Sequence, residues 1–153
     1  MEPESISTPT ENGDGWSRAT LRIFGDALQP DEVGVALKIE ASHAHLKGQE
    51  RSRGRGTWSE SAWLLASPLA KKRGLDEHIR WLLERLDDKV EIVRELGRKY
   101  RIDIFCGFSS GSGQGGFTLD GATLERLAKL GVPLALDLYP PPPADDGVDE
   151  GQP

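Results

Sequence analysis

Three groups of residues have types and spacings that can do chemistry. His43 and His45 form a His-x-His pair. In a strand, alternate side chains share a face, so both imidazoles would point one way and could offer two ligands to a zinc or copper ion. Further ligands must come from elsewhere, and His78 and Glu77 are the obvious residues. No second cysteine and no His-Glu-x-x-His pattern accompanies them. The expectation is therefore exposed edge-strand histidines and no metal. Ser109, Ser110 and Ser112 place three hydroxyls in a glycine-rich stretch whose amides could form an anion-binding nest. No base is identifiable beside them, so no catalytic residue is assigned. Lys47, Arg51, Arg53 and Arg55, set among glycines and followed by Trp58, have the composition of a nucleic-acid contact, with cations for phosphates and an aromatic ring for a base. A solvated hairpin loop explains the same composition, Glu50 interrupts the series, and Arg55 over Trp58 would stiffen such a hairpin as a cation–π pair.

The serines sit in the most informative stretch of the chain, residues 101–120, where a Gly/Ser loop separates two apolar runs of β character. Gly111, Gly113 and Gly116 spell G-x-G-x-x-G, and Asp137 follows at about the spacing of a ribose-binding acid. That fingerprint works only when its glycines open a helix whose N-terminal amides hold a pyrophosphate. Here Phe117-Thr118-Leu119 reads as a second strand, so Gly111–Gly116 is expected to be a long hairpin connection and no cofactor is assigned.

The elements that must position these residues follow from periodicity. Leu21–Phe24 is a short strand, and Pro30 with Asp31 and Glu32 opens a helix striped by Val33 and Leu37. Residues 41–46 alternate as a short edge strand, and residues 57–65 read as another. Leu75, Ile79, Leu82, Leu86, Val90, Val93 and Leu96 recur at helical spacing, predicting one long helix from Leu75 to Arg98 with Asp76 and Glu77 favouring its positive end. Trp58, Trp63 and Trp81 suit core and rim. Ile102, Ile104, Cys106 and Phe108 form a strand with one buried face. Asp120 is placed as an N-cap, Leu124, Leu127 and Leu130 form a stripe, Gly131 suits the residue after the helix, and Leu134, Leu136 and Leu138 form the last strand. The order is β-α-β-β-α-β-β-α-β: an α+β protein with a ferredoxin-like βαββαβ core, an added βαβ extension, and helices on one face of a mostly antiparallel sheet.

The formal charge of −6 resides in the ends. Glu2, Glu4, Glu11 and Asp14 precede the first strand, and Asp145, Asp146, Asp149 and Glu150 follow the last; without those eight, 17 acidic residues stand against 19 Lys and Arg. Both ends are poor in large apolar residues, so residues 1–16 and 141–153 are expected to be disordered tails around a single domain at 17–140. No run of eighteen apolar residues and no signal-peptide pattern is present, which points to the cytoplasm. The single Cys106, inside an apolar run, is expected to be a buried, reduced thiol.

Leu21-Arg22-Ile23-Phe24-Gly25-Asp26 with Pro30, then Gly56-Thr57-Trp58-Ser59, the long helix, and Gly113-Gln114-Gly115-Gly116-Phe117 together resemble a bacterial family known as domain of unknown function 4279. The resemblance implies a small bacterial cytosolic protein and brings no established activity. The residues themselves lead to a non-enzymatic module that holds a protein partner, by analogy with toxin-neutralising proteins. The partner is expected on the sheet face or on the two loops, with Arg55 and Trp58 on one and Ser109, Ser110, Gln114 and Phe117 on the other as binding residues. The alternatives are a small-ligand or enzyme site at the Gly/Ser loop and nucleic-acid binding through the arginine loop.

Overall fold

The computed structural model describes residues 15–140. The two acidic ends, read from composition as tails, lie outside these residues apart from Gly15 and Trp16, and Trp16 is already the first residue of a strand. The elements are β1 (Trp16–Gly25), α1 (Pro30–Leu37), β2 (His43–His45), β3 (Ser61–Ala66), α2 (Leu75–Leu86), α3 (Val90–Lys99), β4 (Arg101–Ser109), α4 (Gly121–Leu130) and β5 (Leu134–Leu138). The sheet order is β2-β3-β1-β4-β5, antiparallel throughout except for the parallel β4–β5 pair. The first four strands thus lie as two interleaved βαβ units, the ferredoxin-like arrangement, and the β4-α4-β5 unit extends the sheet at one edge. The protein is α+β.

One face of the sheet makes the core. Ala19, Leu21 and Ile23 of β1, Trp63 and Leu65 of β3, and Ile104, Cys106 and Phe108 of β4 are all buried, in one cluster with residues from every helix. The predicted stripe is buried too: Leu75, Ile79, Leu82 and Leu86 of α2 and Val93 and Leu96 of α3. It does not belong to one rod, however. Asp87–Lys89 forms a 3-10 turn that ends α2 and starts α3. Aspartate is a poor helix interior residue because it competes for backbone hydrogen bonds. Asp87 also turns its carboxylate to Arg126 of α4, at 2.7 Å from Nη2 and 3.1 Å from Nε. The bend lets α2 lie on β1 while α3 meets α4.

Two other expectations are corrected. Phe117–Leu119 is not a strand, so residues 110–119 connect β4 to α4 and no hairpin exists there. Phe117 instead packs on Phe108, with ring centroids 5.3 Å apart. The strand expected over 57–65 begins only at Ser61; residues 46–60 form an excursion with a bridge between Glu50 and Thr57, and the arginine loop is its tip. At β5 the alternating leucines occupy the core side, but at its open edge, and Leu134, Leu136 and Leu138 stay 38%, 43% and 63% exposed.

The α4 cap is as expected. Asp120 Oδ1 accepts a hydrogen bond from the Thr123 amide at 2.8 Å, and Gly131 ends the helix in the left-handed region at φ 73°. Asp120→Ala is expected to lower the thermal midpoint by a few degrees while Asp120→Asn keeps most of it; a thermal scan of both variants checks this.

Candidate functional site

The helices leave the opposite face of the sheet open, and its residues follow from strand alternation. The even-numbered residues of β1 point there: Trp16, Arg18, Thr20, Arg22 and Phe24, all half-buried or exposed. Across the β1–β4 ladder, Phe24 faces Arg101, Arg22 faces Asp103 and Thr20 faces Phe105. Arg22 is held on all sides: its Nε and Nη2 donate to Asp103 Oδ1 and Oδ2 at 2.9 and 2.7 Å, and its guanidinium lies 4.2 Å from the Phe105 ring centre and 5.3 Å from that of Phe24. The hydrogen bonds to Asp103 raise the guanidinium's pKa, against the opposing effect of burial. Arg101 lies over the other side of this group, 5.1 Å from Phe24, and pairs with Glu60.

A second group sits at the far end of the same face. Arg18 is 5.1 Å from the Trp16 ring centre and 5.9 Å from that of Tyr139, and the two rings are 4.9 Å apart. Gly107 makes room for it: a Cβ there would come within 3.0 Å of both Trp16 and Arg18. The face is thus a platform of arginines laid on aromatic rings, a pairing that stiffens long side chains and leaves their edges in water.

The residues expected from the sequence are dispersed around this platform. Trp58 stacks on His45 at 3.7 Å and 8°, and Arg51 lies 4.5 Å over Trp58; Arg55, expected in that place, is exposed in the loop. His45 opposes Ala62, which opposes Phe24, whereas Ser109 opposes Trp16. Trp16 and Phe24 are eight residues apart along β1, about 27 Å. Trp58 and the Gly/Ser loop are therefore at opposite ends of the sheet and form no joint site. Ser109 is buried, with its Oγ accepting from the Gly111 amide at 3.4 Å. Ser110 Oγ accepts from the Gly113 amide at 2.9 Å, and Ser112 Oγ donates to the Gln114 carbonyl at 3.0 Å. The hydroxyls serve the loop's own backbone. The glycine motif opens no helix, since α4 begins only at Gly121. Phe117, Phe108, Leu136, Leu138 and Tyr139 line a mostly apolar groove of about 570 Å³ beside the loop, with the hydroxyls of Ser110 and Tyr139 as its polar side-chain groups.

His43 and His45 do share a face, with Nε2 and Nδ1 3.0 Å apart, but only His43 is exposed. Among the described residues no three His, Cys, Asp or Glu gather as metal ligands. His78 is elsewhere, buried on α2 with Nδ1 2.8 Å from Ser67 Oγ. Burial lowers the pKa of both buried imidazoles: at His45 the neighbouring His43 adds to it, and at His78 the Ala70 carbonyl and Glu77 oppose it without prevailing. A folded-state pKa below the unfolded value of 6.5 means that the unfolded chain binds protons first. Stability is thus full above 6.5 and lost as pH falls below it. Denaturant midpoints measured from about pH 7.5 down to about 5 are expected to fall, and His78→Gln should flatten the slope. Cys106 is buried, and burial with the nearby Asp103 charge pushes its thiol up to about 12, as an inert core residue.

A family model described as a domain of unknown function, DUF4279, matches residues 15–141. The chain belongs to this family. The DUF4279 match covers every strand and helix above, including Trp16 and Tyr139 of the platform. No curated protein and no solved structure matches the chain. Within the described residues of this DUF4279 domain no helix is long and apolar enough to cross a membrane.

A first strand limited to Leu21–Phe24, as the sequence expectation has it, leaves Trp16 and Arg18 out and hides the platform. The signal was present: from Trp16 to Phe24, large polar or aromatic residues alternate with Ser17, Ala19, Leu21 and Ile23.

Proposed function

We propose that this DUF4279 domain is a non-enzymatic binding module of the bacterial cytosol that holds a protein partner on its helix-free sheet face. The observation that carries the reading is the platform itself, in which Arg18 and Arg22 lie on Trp16, Phe24, Phe105 and Tyr139. Arginine and large aromatic side chains dominate the energetics of protein interfaces, and here they are held in place before any partner arrives, which lowers the entropy lost on binding. Single-stranded nucleic acid is the competing occupant of such a face, since bases stack on exposed rings. Two features weigh against it. The rings already carry guanidinium groups, and Arg22 has spent its fork on Asp103. The apolar groove beside the Gly/Ser loop lacks the convergent polar groups that orient a substrate, which disfavours an enzyme site there.

Affinity capture from the native host, with wild type beside an Arg18→Glu/Phe105→Ala variant, tests the reading. A protein retained by wild type and lost with the variant supports it. Equal retention by both, or retention of nucleic acid alone, refutes it.

A further inference from the structure

At the corner where β4 outruns β5 there is a cleft of about 630 Å³. The β4–β5 pairing starts at Ile104 and Leu134, so Arg101, Ile102 and Asp103 extend past it and form one wall. The last turns of α3 and the Gly131–Pro133 connection form the others.

Four arginines line this cleft, Arg22, Arg94, Arg98 and Arg101, against one acidic residue, Asp103. Asp103 is taken up by the two hydrogen bonds from Arg22, which leaves three cations over. Arg98 and Arg101 rest on Glu95 and Glu60, outside the cleft, in exposed pairs weak enough for either arginine to leave. Arg94 donates its Nε to the Lys129 carbonyl at 2.9 Å, and among the described residues it makes no salt bridge, so both its terminal nitrogens are uncommitted to an acid. Arg94 and Arg98 are one helical turn apart and present their heads on the same side of α3. The Arg94 guanidinium lies beside Gly131, at ordinary contact distance from where a Cβ would stand, 3.5 Å. Between the cations the surface is apolar, with Val93, Ile102, Leu130 and Pro133.

We propose that this cleft binds a small organic phosphate, its phosphoryl oxygens held by Arg94, Arg98 and Arg101 and its apolar body resting on Ile102, Leu130 and Pro133. Guanidinium forks match phosphoryl oxygens two at a time, and three arginines lining one cleft suit a group with more oxygens and more charge than one carboxylate has. The volume is that of a small-molecule site. In a chain of net charge −6, a concave cluster of arginines also concentrates anions locally. The site goes beyond the partner-binding reading and is tested through Arg94 and Arg98, which the platform does not use.

The test is a titration of the full-length, ¹⁵N-labelled protein with phenyl phosphate, with separate arms of inorganic phosphate and benzoate, read as amide chemical shifts. Saturable shifts at Gly97, Gly131 and Val132 are expected with phenyl phosphate, weaker ones with inorganic phosphate, and none with benzoate. Arg94→Ala/Arg98→Ala should weaken phenyl phosphate by at least about tenfold. Arg98→Ala alone, which removes no bond to the α4 backbone, should weaken it by at least about threefold and keeps the test readable if Arg94→Ala loosens α4. Benzoate binding as tightly as phenyl phosphate, unchanged affinity in Arg98→Ala, or no saturable shift in wild type would each overturn the proposal.

Discussion

Exchanging Arg18 for Glu and Phe105 for Ala together is expected to weaken binding of the proposed protein partner by about 100-fold or more. Truncating a central arginine or aromatic anchor costs about 2 kcal/mol or more in an interface, and two neighbouring losses add incompletely, so about 3 kcal/mol is the expected floor. The cost to folding is small by comparison. Arg18 is exposed on the open face, and Phe105 is half-buried there and belongs to no part of the core cluster. Losing its ring takes about 1 kcal/mol from the fold. Titration calorimetry against the captured partner measures the first effect and a denaturant curve the second. Glu91→Lys, exposed on α3, serves as the control that leaves binding unchanged.

Trp63→Ala is expected to have the largest effect on folding. Trp63 lies at the centre of β3, is 1% exposed, and is the bulkiest of the fully buried side chains. It faces the helices between the β1 and β2 ladders, opposite Ile23 on one side and Ala44 on the other. Removing a buried indole costs about 3–5 kcal/mol, transfer and cavity terms together, out of a total of about 5–15 for a domain of this size. The thermal midpoint should therefore drop by about 10–20 °C. Trp63→Phe, which fills most of the space, should recover more than half of the loss. Calorimetric scans of the three proteins check both statements, and a loss below about 1 kcal/mol for the alanine variant would mean that β3 is not packed as described.

The parts of the fold legible in the sequence are those set by local chemistry. The leucine stripe, the Asp120 cap and Gly131 each announce themselves within a few residues, and the strand and helix order of the ferredoxin-like core follows from the stripe and the alternating runs on either side of it. What could not be read depends on partners far along the chain. The stripe runs in phase through Leu86, Val90 and Val93 and outweighs the weak local signal of Asp87-Asp88; the turn is completed by Arg126, 39 residues away. Phe117–Leu119 is too short to show a period, and its strand-like composition serves packing on Phe108 instead. The open face was hidden for the same reason. Arg22 and Asp103 are 81 residues apart, and neither looks like part of a surface until β4 is placed against β1 and the helices against the other side. Trp58 and Phe117 are half-buried, Trp58 stacked on His45 and Phe117 packed on Phe108, contacts that sequence spacing does not show.

The account stands on which side of the sheet meets another protein. A photo-reactive benzoylphenylalanine placed singly at Ala66 and Ala135, which flank the platform on β3 and β5, and at Val35 and Glu91 on the helix side, measures this in the native host. The account predicts a covalent adduct with one and the same protein from Ala66 and Ala135, and none from Val35 or Glu91. Adducts arising from the helix-side positions, with the sheet-side positions silent, would contradict it.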